Sequence, residues 1–197
     1  MPKPKIYIAG PFFNLAQIDV IDAIEYLCSL HGFPYYSPRK HSGSADIPQE
    51  HRKDPKVWSH VIESNKLQLD VCDLIIAVLD YKLPADTEMC QVQWDLSSGH
   101  ILSDAIVKYA YTVEIPDSGT VWEMGYAFAL GKPILGYVSG EKPKALNLML
   151  SHTMRGVVSG TDRLAYFLES YNPVVARPVD ELLFDWKAVE SHKGDVI

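Results

Sequence analysis

Apolar spacing along this chain switches repeatedly between strand-like and helix-like patterns. Lys5-Ile-Tyr-Ile-Ala9 is a short β-rich run that stops at Gly10-Pro11, which predicts a strand running into a turn. Leu15, Ile18, Ile21, Ile24 and Leu27 then recur every three residues, an amphipathic helix ending near His31-Gly32. Residues 33–37 read as a second short strand, stopped by Pro38, and the polar stretch 39–54 has no apolar period and reads as a loop. Trp58, Val61, Ile62, Asn65 and Leu69 share one helical face over residues 55–70. The run 73–79 is continuously apolar after its first residue, as in strands buried on both faces of a parallel sheet. Beyond Asp80 the pattern is mixed, with a helix expected near 91–109. Asp117-Ser-Gly-Thr opens a helix through Leu130 that Gly131 closes, and 133–138 gives another strand. A short helix at 145–150, a brief Gly156-Val-Val strand and a helix at 163–171 follow.

Strands alternating with helices imply an α/β fold. The expectation is a flavodoxin- or Rossmann-like three-layer sandwich with a central parallel sheet of about five strands. At 197 residues, with no internal repeat or dividing linker, the chain reads as a single domain. It carries a C-terminal extension from about residue 172. In such sheets ligands sit beyond the carboxyl ends of the strands, near the switch point. The turns at 10–14, 37–40, Asp80 and 138–140 are therefore the places to look.

Composition narrows the function classes. The net charge of −7, from 25 acidic against 18 basic residues, argues against a nonspecific nucleic-acid binder. No apolar run approaches the roughly 18 residues of a membrane span, and the N-terminus has no signal-peptide core. The expectation is a soluble, cytoplasmic protein without nucleic-acid or membrane partners. Cys28, Cys72 and Cys90 form no CxxC pair and read as buried reduced thiols. The seven histidines form no metal-ligand spacing, so no metal site is expected. GxGxxG, GxxxxGK[ST] and GxSxG are all absent, so dinucleotide, P-loop and serine-elbow readings lose their support, and no cofactor is expected.

Glu123 is the most informative residue. It is the sole charge in GTVWEMGYAFALG, a segment apolar all round and so expected to be buried, with Glu123 in the first helical turn. A carboxylate there either satisfies the helix terminus or has a chemical task. Asp117 is first of all a helix cap, but the same turn delivers Glu123, and Gly119 and Gly125 would allow close approach of backbone or ligand. Asn65 either hydrogen-bonds within the core or points into a pocket. Tyr7 packs in the first strand or reaches a carboxylate from the helix carrying Glu123. A carboxylate nucleophile in a closed apolar site suits glycosyl chemistry, in which it attacks an anomeric carbon and holds the sugar as an ester.

At these residues the sequence resembles the nucleoside 2-deoxyribosyltransferase family. Four ordered blocks carry the resemblance: Lys5-Ile-Tyr-Ile-Ala-Gly-Pro-Phe-Phe-Asn14; Asn65 with Asp73-Leu-Ile-Ile-Ala eight residues on; Asp117-Ser-Gly-Thr-Val-Trp-Glu-Met-Gly-Tyr-Ala127 with Gly131-Lys-Pro; and Asn147-Leu-Met149. The resemblance implies that Glu123 attacks C1′, that Tyr7 holds and tunes it, and that Asp117 binds sugar hydroxyls. It implies further that Asn147 and Met149 reach a neighbouring subunit's site in a homo-oligomer, a dimer or hexamer. The implied reaction exchanges the nucleobase of 2′-deoxyribonucleosides, in nucleoside salvage, with free nucleobases as co-substrates and neither cofactor nor metal. Phe12, Phe13, Trp58 and Trp122 are candidates for an aromatic pocket that favours a base over water, or are packing residues. Two departures stand out. Several family members have Asp where this chain has Asn65, which can hydrogen-bond a base but cannot be a general acid. Residues 83–113 form an insertion relative to compact members.

Two other readings share these residues. A 2′-deoxynucleoside 5′-monophosphate N-glycosidase would need a phosphate site, for which Gly-Pro-Phe-Phe-Asn is poor and only Arg39 and Arg52 are at hand. A non-catalytic nucleoside-binding module would have no use for a lone buried nucleophile.

Overall fold

The computed structural model describes residues 2–42, 47, 54–80, 93–94, 101–103, 116–140 and 148–171. A five-stranded sheet organises them: β1 (Ile6–Ala9), β2 (Tyr35–Tyr36), β3 (Leu74–Val78), β6 (Ile134–Val138) and β7 (Gly156–Ser159), in the order β2-β1-β3-β6-β7. Every neighbouring pair in this sheet is parallel. A separate antiparallel pair, β4 (Gln93–Trp94) with β5 (Ile101–Ser103), lies between β3 and β6 in the chain.

Strand alternation sorts the core into two halves. Ile6 and Ile8 of β1, Leu74, Ile76 and Val78 of β3 and Leu135 and Tyr137 of β6 pack with Ile21, Ile24 and Cys28 of α1 (Leu15–Leu30) and Leu164, Phe167 and Leu168 of α6 (Gly160–Glu169). Tyr7 and Ala9, Ile75 and Ala77, and Ile134 and Val138 take the other face. They pack with Leu69 of α3 (Pro55–Val71), Met124 and Ala127 of α4 (Ser118–Ala129) and the partly buried Leu150 of α5 (Leu148–Thr153). Strands wholly buried on both faces explain the unbroken apolar runs of β1, β3 and β6. Gly10 closes β1 because a Cβ there would stand 2.7 Å from Ile21 Cδ1 and 2.9 Å from Val78 Cβ, so α1 could not pack as it does. Cys28 and Cys72 are buried free thiols, as expected, and Cys90 lies outside the described residues. Among the described residues no helix is long and apolar enough to cross a membrane.

The structure departs from the sequence reading at three places. The polar stretch after β2 begins as a short helix, α2 (Pro38–His41), with proline at its first position and no apolar period to announce it. Within 91–109, where a helix was expected, Gln93–Trp94 and Ile101–Ser103 pair as strands. Local periodicity could not reveal that partnership, although β-branched and aromatic residues flank Ser97-Ser-Gly99 in the sequence. Finally, α4 is not buried all round. Thr120, Glu123, Met124 and Ala127 face inward, whereas Trp122 is 48% exposed and Phe128 also faces outward.

Candidate active site

The chain leaves β1 for β2 on one side of the sheet and resumes with β3 on the other, so β1 and β3 flank the topological switch point. Tyr7 lies within β1 on the α3–α4 face, and α4 crosses that face with Glu123 directed inward. The Tyr7 hydroxyl donates to Glu123 Oε1 at 2.5 Å, across 116 residues of sequence. Glu123 is only 8% exposed. Burial raises its carboxyl to about 8, and the Asp117 charge adds to this, while the Tyr7 hydrogen bond pulls the other way. Burial and the Glu123 charge push the Tyr7 phenol far above its ordinary value, so Tyr7 remains a proton-bearing donor.

Asp117 sets where α4 begins. Its Oδ2 accepts the backbone N–H groups of Gly119 at 3.0 Å and Thr120 at 3.2 Å, the work of an N-cap. This corrects the expectation for Glu123: with the helix starting at Ser118, Glu123 is its sixth residue and belongs to the second turn. Two of the first turn's N–H groups, those of Gly119 and Thr120, go to the Asp117 carboxylate instead. Gly119 has a related explanation, because a Cβ there would stand 2.9 Å from Asp117 Oδ2. The space next to it is filled by the capping carboxylate. One helical turn before Glu123, Thr120 is buried, and its hydroxyl has no hydrogen-bond partner among the described residues.

Asn65 of α3 is half-buried, and its Oδ1 accepts the Tyr36 hydroxyl at 3.2 Å. Tyr36 is a site residue that the sequence reading missed. It is the register partner of Tyr7, its ring stacks on Tyr7 at 5.4 Å and 30°, and its other ring neighbour is His41 at 5.3 Å and 27°. A two-residue strand gives no periodicity, and only the β1–β2 register reveals that the two tyrosines stand side by side.

Other candidates are exposed, engaged elsewhere or outside the described residues. Phe13 follows β1 but is 70% exposed and stacks on Phe12, and Trp58 and Trp122 are also exposed. Met149 on α5 is 74% exposed, and Asn147 lies outside the described residues. Arg39, a phosphate candidate from the sequence, is committed elsewhere: its guanidinium pairs with Asp22 and, at 2.9 Å, with the buried Glu25, both on α1. Arg52 lies outside the described residues. Among the described residues no cluster of three or more His, Cys, Asp or Glu side chains is placed to hold a metal ion. A cleft of about 480 Å³ opens between α1 and α6, lined by Asp19, Tyr137, Ser139, Ser159 and Arg163, and Glu123 does not line it.

The arrangement is that of a buried carboxyl group held by a phenol. The family model described as nucleoside 2-deoxyribosyltransferase matches residues 100–160, a span that includes Asp117, Glu123, β6 and β7. This meets the resemblance read from the sequence. No curated protein matches the chain. Among solved structures, the 2-deoxyribosyltransferase of Bacillus psychrosaccharolyticus is similar with a TM-score of 0.54 at 20% identity, over 82% of this chain and 90% of that one. A conserved protein from Enterococcus faecalis V583 is similar with a TM-score of 0.54 at 19% identity, over 85% and 98%. At these identities the likeness is one of fold: the sheet and its flanking helices are those of a flavodoxin-like 2-deoxyribosyltransferase architecture.

Proposed function

We propose that this protein is a nucleoside 2-deoxyribosyltransferase that exchanges the base of 2′-deoxyribonucleosides through a deoxyribosyl ester on Glu123. The observation that carries this reading is the buried Glu123 carboxyl held by Tyr7 at the switch point, inside the segment matched by the family model. In the forward half-reaction a Glu123 oxygen forms a bond to C1′ while the C1′–N bond breaks, and the base departs with that electron pair and takes up a proton. In the second half a different base attacks C1′, loses a proton and returns the carboxylate. Positive charge grows on the sugar in both transition states, and an ionised Glu123 out of water stabilises it strongly. The Tyr7 donor lowers the cost of ionising Glu123 and leaves Oε2 for attack. Asp117 uses Oδ2 for the cap, and Oδ1 is the atom proposed to accept a sugar hydroxyl.

The role belongs to cytoplasmic nucleoside salvage, and the acting form is a homo-oligomer in which Asn147 and Met149 complete a neighbour's site. The commitment of Arg39 to Glu25 favours transfer between nucleosides over hydrolysis of nucleotides, since it removes a phosphate ligand. The test is a chromatographic assay of 2′-deoxyinosine with adenine, beside 2′-deoxynucleoside monophosphates without acceptor. The wild type is expected to form 2′-deoxyadenosine, and Glu123→Ala to lose at least about a thousandfold in rate while staying folded. Exchange that survives Glu123→Ala sinks the assignment, and free base released from the monophosphate alone moves the protein to the hydrolases.

A further inference from the structure

We propose that Tyr36 is a positioning residue: its hydroxyl holds the Asn65 carbonyl so that the amide N–H groups of Asn65 stay open to a ligand in the Glu123 pocket. The direction of the hydrogen bonds follows from the atoms involved. Tyr36 has one hydroxyl proton, and its neighbours include Asn65 Oδ1 at 3.2 Å, Ser64 Oγ at 3.3 Å and the Ser42 side chain. A carbonyl oxygen only accepts, so Tyr36 donates to Asn65, and Ser64 donates to Tyr36. Burial raises the Tyr36 phenol, which keeps that proton in place.

The ring that carries this hydroxyl has little freedom. Tyr7 stacks on it from β1 and His41 from α2, and the His41 Nδ1 meets the backbone of Ser37 at 3.0 Å. Asn65 itself is half-buried, and among the described residues no hydrogen bond is made by its Nδ2. One ring therefore links two contacts: its face supports the phenol that holds Glu123, and its hydroxyl orients the Asn65 amide, whose N–H groups have no partner among the described residues.

An amide so fixed recognises acceptors only. It suits a leaving group that presents a carbonyl oxygen or an unprotonated ring nitrogen, and it stabilises the electron pair arriving there without transferring a proton. The substrate class is a nucleoside whose base shows such an acceptor toward α3. This rests on the reading of the protein as a deoxyribosyltransferase.

The experiment is a double-mutant cycle on base exchange. Tyr36→Phe keeps both ring stacks and removes only the hydroxyl, and kcat/KM is expected to fall about tenfold. In an Asn65→Ala background the same change is expected to alter kcat/KM less than twofold, which a general packing defect would not produce. An equal loss in both backgrounds, or no loss in either, overturns the proposal. A second measurement does not depend on turnover: the Asn65 ¹³Cγ resonance, shifted downfield by the accepted hydrogen bond, moves upfield in Tyr36→Phe. A resonance that does not move overturns the proposal even in an active enzyme. Wild-type protein inactive on every nucleoside overturns the transferase reading instead, and the resonance then decides the role of Tyr36.

Discussion

A carboxyl group taken out of water prefers to keep its proton, and Glu123 has the means to let it go only in part. Its carboxyl is raised to about 8 by burial, with Tyr7 opposing. As the proposed role of Glu123 as nucleophile requires the ionised form, kcat/KM is expected to rise with pH and level off above about pH 8. A profile flat from pH 6 to 9 would argue against Glu123 as the group that titrates. The same shift has a stability sign. In the unfolded chain a glutamate titrates near about 4.3, so between that value and about 8 the folded protein holds a proton that the unfolded chain has lost. The stability contributed by the protonated form is full below the unfolded value and is lost as pH rises through the folded one. Glu123→Gln escapes this loss. Its Tm should exceed that of the wild type by several degrees at pH 8.5, with the gap closing toward pH 5, as followed by thermal melts across that range.

At the scale of elements, the buried Glu25 explains why α2 exists. Glu25 lies on α1 with 1% exposure, and its Oε2 meets both Arg39 and Lys40 of α2. Glu25→Ala strips the pair of its shared anion and is expected to cost about 3 kcal/mol, measured by urea unfolding. It should also loosen His41 against Tyr36. Four residues headed by proline carry no helical period, so the sequence reads as loop where tertiary ion pairs hold a helix. The long elements were legible for the opposite reason: β1, β3 and β6 are buried on both faces, and α1, α3 and α4 bring their own caps in Asn14, Asp54 and Asp117. Glu123 stood out in the sequence because it was a lone charge among apolar residues. Its meeting with Tyr7 was one of two options there, since only the fold brings residues 116 apart into contact. Tyr36 could not be read at all, because its place beside Tyr7 depends on a strand register.

At the scale of the whole molecule, apolar side chains among the described residues are exposed on α3, α4 and α5. Trp58 is 45% exposed, and Ile62, Trp122, Leu148 and Met149 are exposed as well. These are the helices that border the Glu123 side of the sheet, and their exposure supports the proposed oligomer with shared sites. Inactive Glu123→Ala protein mixed with inactive Asn147→Ala protein should regain activity once subunits have exchanged. Continued inactivity after exchange has been demonstrated by mass spectrometry of the mixed oligomer would exclude a shared site.

The sheet order carries one more consequence. β2 sits at the margin, paired to β1 alone through two residues, while β1 and β3 lie inside the sheet with neighbours on both sides. Tyr7, the partner of Glu123, thus belongs to the most firmly anchored part of the sheet, and Tyr36 to its least anchored strand. Fraying of that edge would unlatch Tyr36 while leaving the Tyr7–Glu123 contact closed, at a cost set by one short strand and the ion pairs behind it.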